Sequence, residues 1–206
     1  MKKLLIVLAH PDDEMLVSGT IARYKKMSWQ VDFICATNLG YTEGKLSALT
    51  PGTLEDPIYR EIERELPNIV ITFDKTGINN DPDHIKVCYA TTYAFQKYAL
   101  WLEGLQKKFR IYGSHEEQWF RRLEAMITKK DEPKFYYICV PASTVAHSVG
   151  RGELSKESFD KPWRGVPDDQ ITTVIDGASG KEFFVLHREG IKEIFMGKND
   201  PVRDRL

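Results

Sequence analysis

The stretch LLIVLAHPDDEM, from Leu4 to Met15, is the centre around which this chain of 206 residues is organised. Its six apolar residues, Leu4 to Ala9, predict a short strand that is buried on both faces, as in a parallel sheet. The run ends at HPDDE, which brings one imidazole and three carboxylates into five residues. Because a helical apolar pattern begins at Met15, the order strand, polar turn, helix places this chemistry at the carboxyl end of a strand.

The composition is that of a soluble globular protein. Apolar residues make up 42% of the chain and charged residues 29%. The length of 206 residues predicts a single domain over residues 1–206. The net charge of −1, with no run of Lys or Arg, argues against a nucleic-acid partner or an anionic membrane. Cys35, Cys88 and Cys139 show no pairing pattern and are expected to be free thiols in a reducing compartment.

The apolar run at the start of the chain is shorter than the core of a signal peptide and ends in acids rather than small residues. No stretch has the length of a membrane span. We therefore expect a cytoplasmic protein without a membrane span.

The rest of the chain predicts alternating strands and helices. Strands are expected at Val31–Thr37 (a second buried strand), Asn68–Phe73, Phe135–Val140 and Ile171–Asp176. Helices are expected at Met15–Met27, Leu54–Leu66, Pro82 through Leu102, His115–Ile127 and Gly180–Phe195. Loops are expected at Asn38–Thr53 and Ala142–Asp169. This order predicts an α/β, Rossmann-like layered fold, a mostly parallel sheet flanked by helices, with strands added at one edge from about Lys134 onward.

A second polar cluster, Asp81, Asp83 and His84, follows the strand Asn68–Phe73. Asp81 before Pro82 is a typical helix start, with an acidic N-cap and Pro at the first helical position. In a doubly wound sheet the turns after two such strands can converge at the switch point. Their combined imidazoles and carboxylates suit Zn²⁺ held by three protein ligands, with a spare carboxylate to deprotonate water. Taken separately, each cluster is also an ordinary helix start.

The motif AHPDDE after a short strand, followed by PDH at a helix start, resembles the LmbE-like or PIG-L family of zinc-dependent N-acetylglucosamine deacetylases. The segments ICAT, LPNIVITFDKTG and WRGVPDDQITTVID are also similar to that family, so the resemblance covers most of the chain. It implies a metal-dependent hydrolase that removes an N-acetyl (N-acyl) group from an amino sugar, a glycoconjugate or a related small molecule.

The resemblance also implies the roles of individual residues. His10, Asp13 and His84 would be the ligands of Zn²⁺ or another divalent metal. Asp12 would be the general base that activates the zinc-bound water and later protonates the leaving amine.

Three further residues have supporting roles by the same resemblance. Glu14 would be a helix-start or supporting residue, and Asp83 would orient its neighbours. His187, in VLHRE, falls where family members carry a His in a late helix, although the Gln that commonly follows it is absent here.

Two departures from the family pattern put the activity in question. Asp81 replaces the first His of the usual His-Pro-Asp-His, which is held to stabilise the oxyanion, and a carboxylate cannot fill that role. Asn79 stands where some members have an assisting Tyr, so the amide of Asn79 or Asn80 is a candidate donor instead. The region Asn38–Thr53 is also shorter than the helix and strand that family members carry there, with an Arg and a Glu that contact substrate.

Other readings stay open at this point. The chain is alternatively a degenerate family member that binds metal with little or no deacetylase activity. A phosphotransferase with Asp12 as nucleophile lacks the expected Asp-x-Asp spacing, and no GxGxxG follows the first strand to bind a dinucleotide. Trp163 is a candidate platform for a sugar ring, whereas His147 is more simply a surface residue and His115 a helix-start residue. The exact substrate, the physiological metal and homo-oligomerisation stay open.

Overall fold

The computed structural model describes residues 1–109, 118–127, 133–177 and 180–189. The strands are β1 (Lys3–Leu8), β2 (Gln30–Cys35), β3 (Ile69–Phe73), β4 (Lys134–Cys139), β5 (Glu157–Ser158), β6 (Lys161–Pro162), β7 (Thr173–Gly177) and β8 (Gly180–Glu189). The helices are α1 (Ser18–Lys26), α2 (Glu55–Glu65), α3 (Gly77–Asn80), α4 (Pro82–Phe109), α5 (Gln118–Ile127) and α6 (Ala142–Gly150). The predicted start of a helix at His115 lies outside the described residues.

A six-stranded sheet in the order β2-β1-β3-β4-β8-β7 forms the middle of the molecule. The strands β2, β1, β3 and β4 run parallel, and β8 and β7 continue the sheet in antiparallel orientation. This confirms the predicted mostly parallel α/β sheet with strands added at one edge. Because β1 and β3 are neighbours although β2 lies between them in sequence, their carboxyl ends form the switch point of the sheet.

The apolar runs of β1 and β3 are buried because other strands flank both and helices cover them. All five residues of β3 and all but the first residue of β1 are buried. By contrast β2, predicted as a second buried strand, lies at the sheet edge and is largely half-buried or exposed. The prediction of a buried β2 was wrong because local composition does not say which strand is outermost.

Two predictions for the C-terminal third of the chain were wrong. The helix predicted at Gly180–Phe195 is the strand β8 as far as Glu189, where the description stops. Residues 142–169 are not one loop, since they contain helix α6, the β5–β6 hairpin and a short 3₁₀ turn, Asp168–Gln170. Short apolar segments do not distinguish helix from strand by periodicity alone.

A buried carboxylate ties the added strands to the first helix. Glu182 of β8 accepts hydrogen bonds from the backbone N–H of Gly19 (2.6 Å) and of Thr20 (2.8 Å) at the start of α1. A Cβ at Gly19 would lie 2.3 Å from the Cα of Gly177, so only glycine permits this close approach. The β7–β8 hairpin thereby holds the helix that follows the HPDDE turn.

Among the described residues, no helix is long and apolar enough to cross a membrane.

Candidate metal site

Three predicted ligands come together at the carboxyl ends of β1 and β3. His10 and Asp13 lie in the turn after β1, and His84 lies in the first turn of α4. One ligand atom from each residue lies within 4.8 Å of the other two. The turns after two strands that are neighbours in space but not in sequence have therefore converged, as the sheet topology requires.

The Asp13 carboxylate is fixed by the turn that carries it. Its Oδ2 accepts hydrogen bonds from the backbone N–H of His10 (2.7 Å) and of Ala9 (3.2 Å), while Oδ1 lies 3.3 Å from Nε2 of His84. Burial favours the neutral carboxyl, but the hydrogen bond and charge of His84 and the N–H of His10 outweigh it and hold the pKa of Asp13 below its usual range. Asp13 is therefore an ionised, oriented carboxylate, as a metal ligand must be.

The His84 imidazole is held on its other side. Its ring stacks on Phe73, the last residue of β3, at 4.1 Å between centroids and 1° between planes. Its Nδ1 lies 3.1 Å from the carbonyl oxygen of Gly77, so an Nδ1–H donates there and Nε2 faces Asp13. Burial lowers the pKa of His84, but the hydrogen bond and charge of Asp13, the charge of Asp81 and the Gly77 carbonyl together raise it.

Asp83 joins the metal cluster to the shortened loop at residues 38–53. Its Oδ2 lies 3.4 Å from Nε2 of His10 and accepts the backbone N–H of Gly44 at 2.6 Å. Its Oδ1 accepts the backbone N–H of Leu46 (3.0 Å) and of Ser47 (3.3 Å). Asp83 is only 2% exposed. The contact on Nε2 of His10 leaves Nδ1, 3.6 Å from Asp13, as the nitrogen that faces the cluster.

Asp12 differs from Asp13 although the two are adjacent in sequence. Asp12 is exposed, and its side chain makes no cap hydrogen bond to the 3₁₀ turn that follows. Within the described residues we find no hydrogen bond or ion pair of its carboxylate. Glu14 is likewise exposed, in the first turn of that 3₁₀ segment. Asp12 and Glu14 are thus exposed carboxylates on either side of Asp13 in the sequence, whereas Asp13 is buried in the cluster.

Asp81 is the N-cap of α4, as its position before Pro82 predicts. Its Oδ1 accepts the backbone N–H of Asp83 (2.8 Å) and of His84 (3.3 Å). These N–H groups would otherwise have no partner in the helix. Asp81, where the family resemblance leads one to expect a His, is thus engaged in capping the helix that carries His84.

The two candidate amides before Asp81 have different surroundings. Asn80 directs Nδ2 at three backbone carbonyl oxygens of the β5–β6 segment, those of Ser158 (3.3 Å), Lys161 (3.3 Å) and Pro162 (3.4 Å). Asn79 has a buried Oδ1 with no hydrogen-bond partner in the described part of the chain. A buried unpaired acceptor costs about 1–3 kcal/mol, so Oδ1 of Asn79 is available to accept a hydrogen bond from a bound group.

The turn from Gly77 to Asn80 has an unusual backbone. Gly77 (φ 61°), Ile78 (φ 68°, ψ −60°) and Asn80 (φ 67°) all have positive φ. For a β-branched residue such as Ile78 this is a true outlier, and strain of this kind costs roughly 1–3 kcal/mol. Such outliers cluster at functional sites, where the surrounding structure enforces them.

A residue that sequence reasoning missed holds the start of this turn. The carboxylate of Asp74 accepts hydrogen bonds from the N–H of Thr76 (3.0 Å), the hydroxyl of Thr76 (2.8 Å) and the N–H of Ile78 (3.2 Å). Burial raises the pKa of Asp74, although these hydrogen bonds oppose the shift. The signal was the Asp-Lys-Thr-Gly sequence itself, because Asp accepts from the backbone N–H two residues on in a turn.

The remaining predicted residues are not at the cluster. His187 is on β8 rather than in a late helix. The centroid of its ring lies 5.6 Å from that of Phe135 and 4.8 Å from that of Tyr137. In the sheet register it lies beside the amino-terminal half of β4, away from the carboxyl ends of the parallel strands. His147 is an exposed residue of α6, as predicted for a surface histidine. His115 lies outside the described residues.

The donor set fits a divalent transition metal. Two imidazoles and one carboxylate, with an open fourth position, form a common catalytic zinc site, and the same set also holds Fe²⁺ in other enzymes. The carbonyl of Gly77 and the carboxylate of Asp83 occupy the second ring nitrogens of His84 and His10. Metal-binding histidines almost always have such a partner, which fixes the tautomer and the ring orientation.

Parts of this chain are similar in sequence to known proteins. The family model PIG-L, described as GlcNAc-PI de-N-acetylase, matches residues 5–48. The 1D-myo-inositol 2-acetamido-2-deoxy-alpha-D-glucopyranoside deacetylase 2 of Saccharopolyspora erythraea is 31% identical over 116 residues, which is 56% of this chain and 34% of the relative. The corresponding deacetylase of Thermomonospora curvata is 29% identical over 123 residues, with the same shares of 56% and 34%.

The matches cover only part of this chain and part of each relative. The matched part spans about a third of the length of these two relatives (34%). The stretch matched by the family model contains most of β1 and the HPDDE turn, whereas the motif that ends at His84 lies beyond it. The structure brings the two motifs together, because Nε2 of His84 lies 3.3 Å from Oδ1 of Asp13. Together the family match and the two relatives confirm the resemblance drawn from the motifs: this chain is similar to the PIG-L (LmbE-like) deacetylases.

Proposed function

We propose that this chain is a metal-dependent deacetylase that removes an N-acetyl (N-acyl) group from an amino sugar or a related small molecule. The observation that carries the proposal is the cluster His10, Asp13 and His84, with an exposed carboxylate, Asp12, next to Asp13 in the sequence. Both relatives are named for the deacetylation of an acetamido-deoxy-glucopyranoside of inositol, which supports the substrate class.

His10, Asp13 and His84 would hold the metal, and Zn²⁺ suits this donor set. When bound, Zn²⁺ supplies a Lewis acid that polarises the acyl carbonyl and makes water more acidic. Asp12 takes the proton from the attacking water, because its carboxylate is accessible and is not used by a cap. The water oxygen then bonds to the acyl carbon. When the C–N bond breaks, Asp12 returns the proton to the amine, which leaves a free amine and a carboxylate product.

Negative charge develops on the acyl oxygen in this reaction, and a donor that stabilises it contributes strongly to the rate. Asp81 is an acceptor and caps α4, so it does not donate. Asn80 directs its amide N–H groups at the β5–β6 carbonyls. Only the Nδ2 group of Asn79 could donate here, since its unpaired Oδ1 is an acceptor. Within the described residues the Asn79 side chain makes no hydrogen bond, and we assign the donor role to its Nδ2.

The decisive experiment combines metal analysis with turnover. The purified chain, loaded separately with Zn²⁺ and with Fe²⁺, is assayed for amine release from a panel of N-acetylglucosamine glycosides, including an inositol glycoside. We expect about one metal ion per chain and amine release that a chelator abolishes. Stoichiometric metal with no release from any N-acyl substrate would reject the deacetylase assignment and retain the metal site.

A second candidate function is metal binding with little or no catalysis. The observation that favours it is the use of Asp81 as a helix cap in place of the family His. If the enzyme is only weakened, Asp81→His should raise turnover, at a cost in helix capping of about 0.5–2 kcal/mol. A sharp gain in this variant, together with no effect of Asn79→Ala, would indicate a weakened deacetylase.

A further inference from the structure

The chain between β4 and β7 reaches over the turn that precedes His84. This segment is anchored on the end of β4, where the N–H of Val166 donates to the carbonyl of Val140 (2.8 Å) and the N–H of Ala142 donates to the carbonyl of Val166 (2.7 Å). Gly165 has φ +66°, and a Cβ there would lie 2.6 Å from the carbonyl oxygen of Val140. The residues just before Val166 are therefore placed by a tight glycine-dependent contact with the central sheet.

Two contacts run from this anchored segment to the α3 turn. The indole Nε1–H of Trp163 donates to the carbonyl oxygen of Ile78 at 2.5 Å. The amide of Asn80 lies 3.3–3.4 Å from three carbonyl oxygens of the β5–β6 hairpin. The hairpin and Trp163 therefore contact the turn at Ile78 and Asn80, two of its residues with positive φ.

The turn in question places one atom that the metal site uses. The carbonyl of Gly77 accepts from Nδ1 of His84, and the same turn packs closely on the start of α4, since a Cβ at Gly77 would lie 3.0 Å from the Cβ of His84. The backbone at Ile78 is strained, and strained backbone persists only where surrounding contacts enforce it. Asp74 restrains the start of the turn, whereas Trp163 restrains the carbonyl of its outlier, Ile78.

We propose that Trp163 is a positioning residue for the metal ligand His84, which it serves by holding the Gly77–Asn80 turn through its indole N–H. With the turn held, the carbonyl of Gly77 stays on Nδ1 of His84 and Nε2 is presented to the metal. The proposal rests on the metal site of the proposed function but not on its turnover. It differs from a sugar-stacking role for Trp163, because it uses the N–H and not the face of the ring.

Trp163→Phe tests the proposal, because it keeps an aromatic ring and removes only the N–H donor. Trp29→Phe is the matched control, since Trp29 packs on Tyr24 beside β2 and lies outside the site. Zn²⁺ affinity is measured by chelator competition, and the visible spectrum of the Co²⁺-loaded protein reports the ligand geometry. We expect Trp163→Phe to weaken Zn²⁺ binding about tenfold, the lower end for loss of a partner of a metal ligand, and to alter the Co²⁺ spectrum. Trp29→Phe should change neither.

Asn80→Ala is the second variant and should weaken Zn²⁺ binding in the same direction, so the test does not depend on one variant folding. Unchanged Zn²⁺ affinity and an unchanged Co²⁺ spectrum in Trp163→Phe would overturn the proposal, and a raised KM alone would assign Trp163 to substrate stacking. Equal losses in Trp29→Phe would also overturn it, as would a parent chain that binds no Zn²⁺. Zn²⁺ bound without turnover rejects the deacetylase assignment but leaves the positioning role standing.

Discussion

The two ends of the parallel sheet are built from the same strands but by different means. At the carboxyl end, three buried carboxylates, Asp13, Asp74 and Asp83, lie near a run of positive-φ residues at the α3 turn. At the amino end, the polar groups form ion pairs and hydrogen bonds with one another. Lys3 contacts Glu65 at 2.5 Å, and Asn68 accepts the N–H of Lys3 at 2.9 Å.

The amino end also satisfies the end of a helix. Arg122 of α5 donates to the carbonyl of Leu66 (2.6 Å), where α2 ends in a left-handed residue, and to the carbonyl of Met1. Such contacts supply the unpaired carbonyl groups at a helix C-terminus with a donor. The strained backbone at Ile78 and the buried carboxylates thus lie where chemistry is proposed, while the other end of the strands serves stability.

The largest effect is expected for His84→Ala. Removing one of three protein ligands should abolish stoichiometric metal binding, measured by elemental analysis after dialysis. His147→Ala, at an exposed histidine of α6, is the matched control and should keep the metal. Full metal occupancy in His84→Ala would mean that the carboxyl end of the sheet is not the metal site.

Asp12→Asn should separate catalysis from metal binding. The variant should keep the metal and lose turnover by about 10²–10⁴-fold, the usual range for a general base. Glu14→Gln changes another exposed carboxylate of the same segment and should have little effect. If Asp12→Asn instead loses the metal, the roles of Asp12 and Asp13 have to be exchanged.

Asn79→Ala should affect the reaction rather than the metal. Loss of a donor to the developing oxyanion should lower kcat by roughly 10²-fold, with Zn²⁺ affinity unchanged. Asn80→Ala provides the contrasting variant. The amide of Asn80 holds the β5–β6 hairpin, so its loss should weaken Zn²⁺ binding. The opposite pattern in the two variants would show that Asn80, and not Asn79, serves the substrate.

The smallest effect is expected at the amino end. The hydrogen bond from Lys3 is the main cause that lowers the pKa of Glu65, so the pair stabilises the fold above the unfolded pKa of Glu, and this contribution is lost as the pH falls through the lowered folded value. Lys3→Met should cost about 1 kcal/mol in urea unfolding at pH 7, and the difference should shrink in acid. Zn²⁺ affinity should not change.

The pair Lys97–Asp56 provides the control for that measurement. Its side chains are 44% and 54% exposed, against 18% and 20% for Lys3 and Glu65. Lys97→Met should therefore cost less than Lys3→Met, because exposed ion pairs are well screened by solvent. A change in Zn²⁺ affinity in Lys3→Met would contradict the division of roles between the two ends.

The sequence by itself determined the local features of this protein. The apolar run Leu4–Ala9 predicts β1 because a strand buried on both faces needs no alternation, and Asp81-Pro82 predicts the start of α4 because the cap and the missing proline N–H both suit it. The motifs and the family resemblance predict His10, Asp13 and His84 as metal ligands, and the switch point predicts that they meet, as they do in the structure.

Only the tertiary structure decided which segments these side chains contact and which groups they bind. That Asp83 holds residues 44–47, that Asn80 holds the β5–β6 hairpin and that Trp163 holds Ile78 depend on contacts between segments 36 to 85 residues apart. The strand β8 in place of a helix and the edge position of β2 depend likewise on what pairs with each segment. Local patterns carry periodicity and capping, whereas the partner of a side chain is chosen by packing across the whole fold.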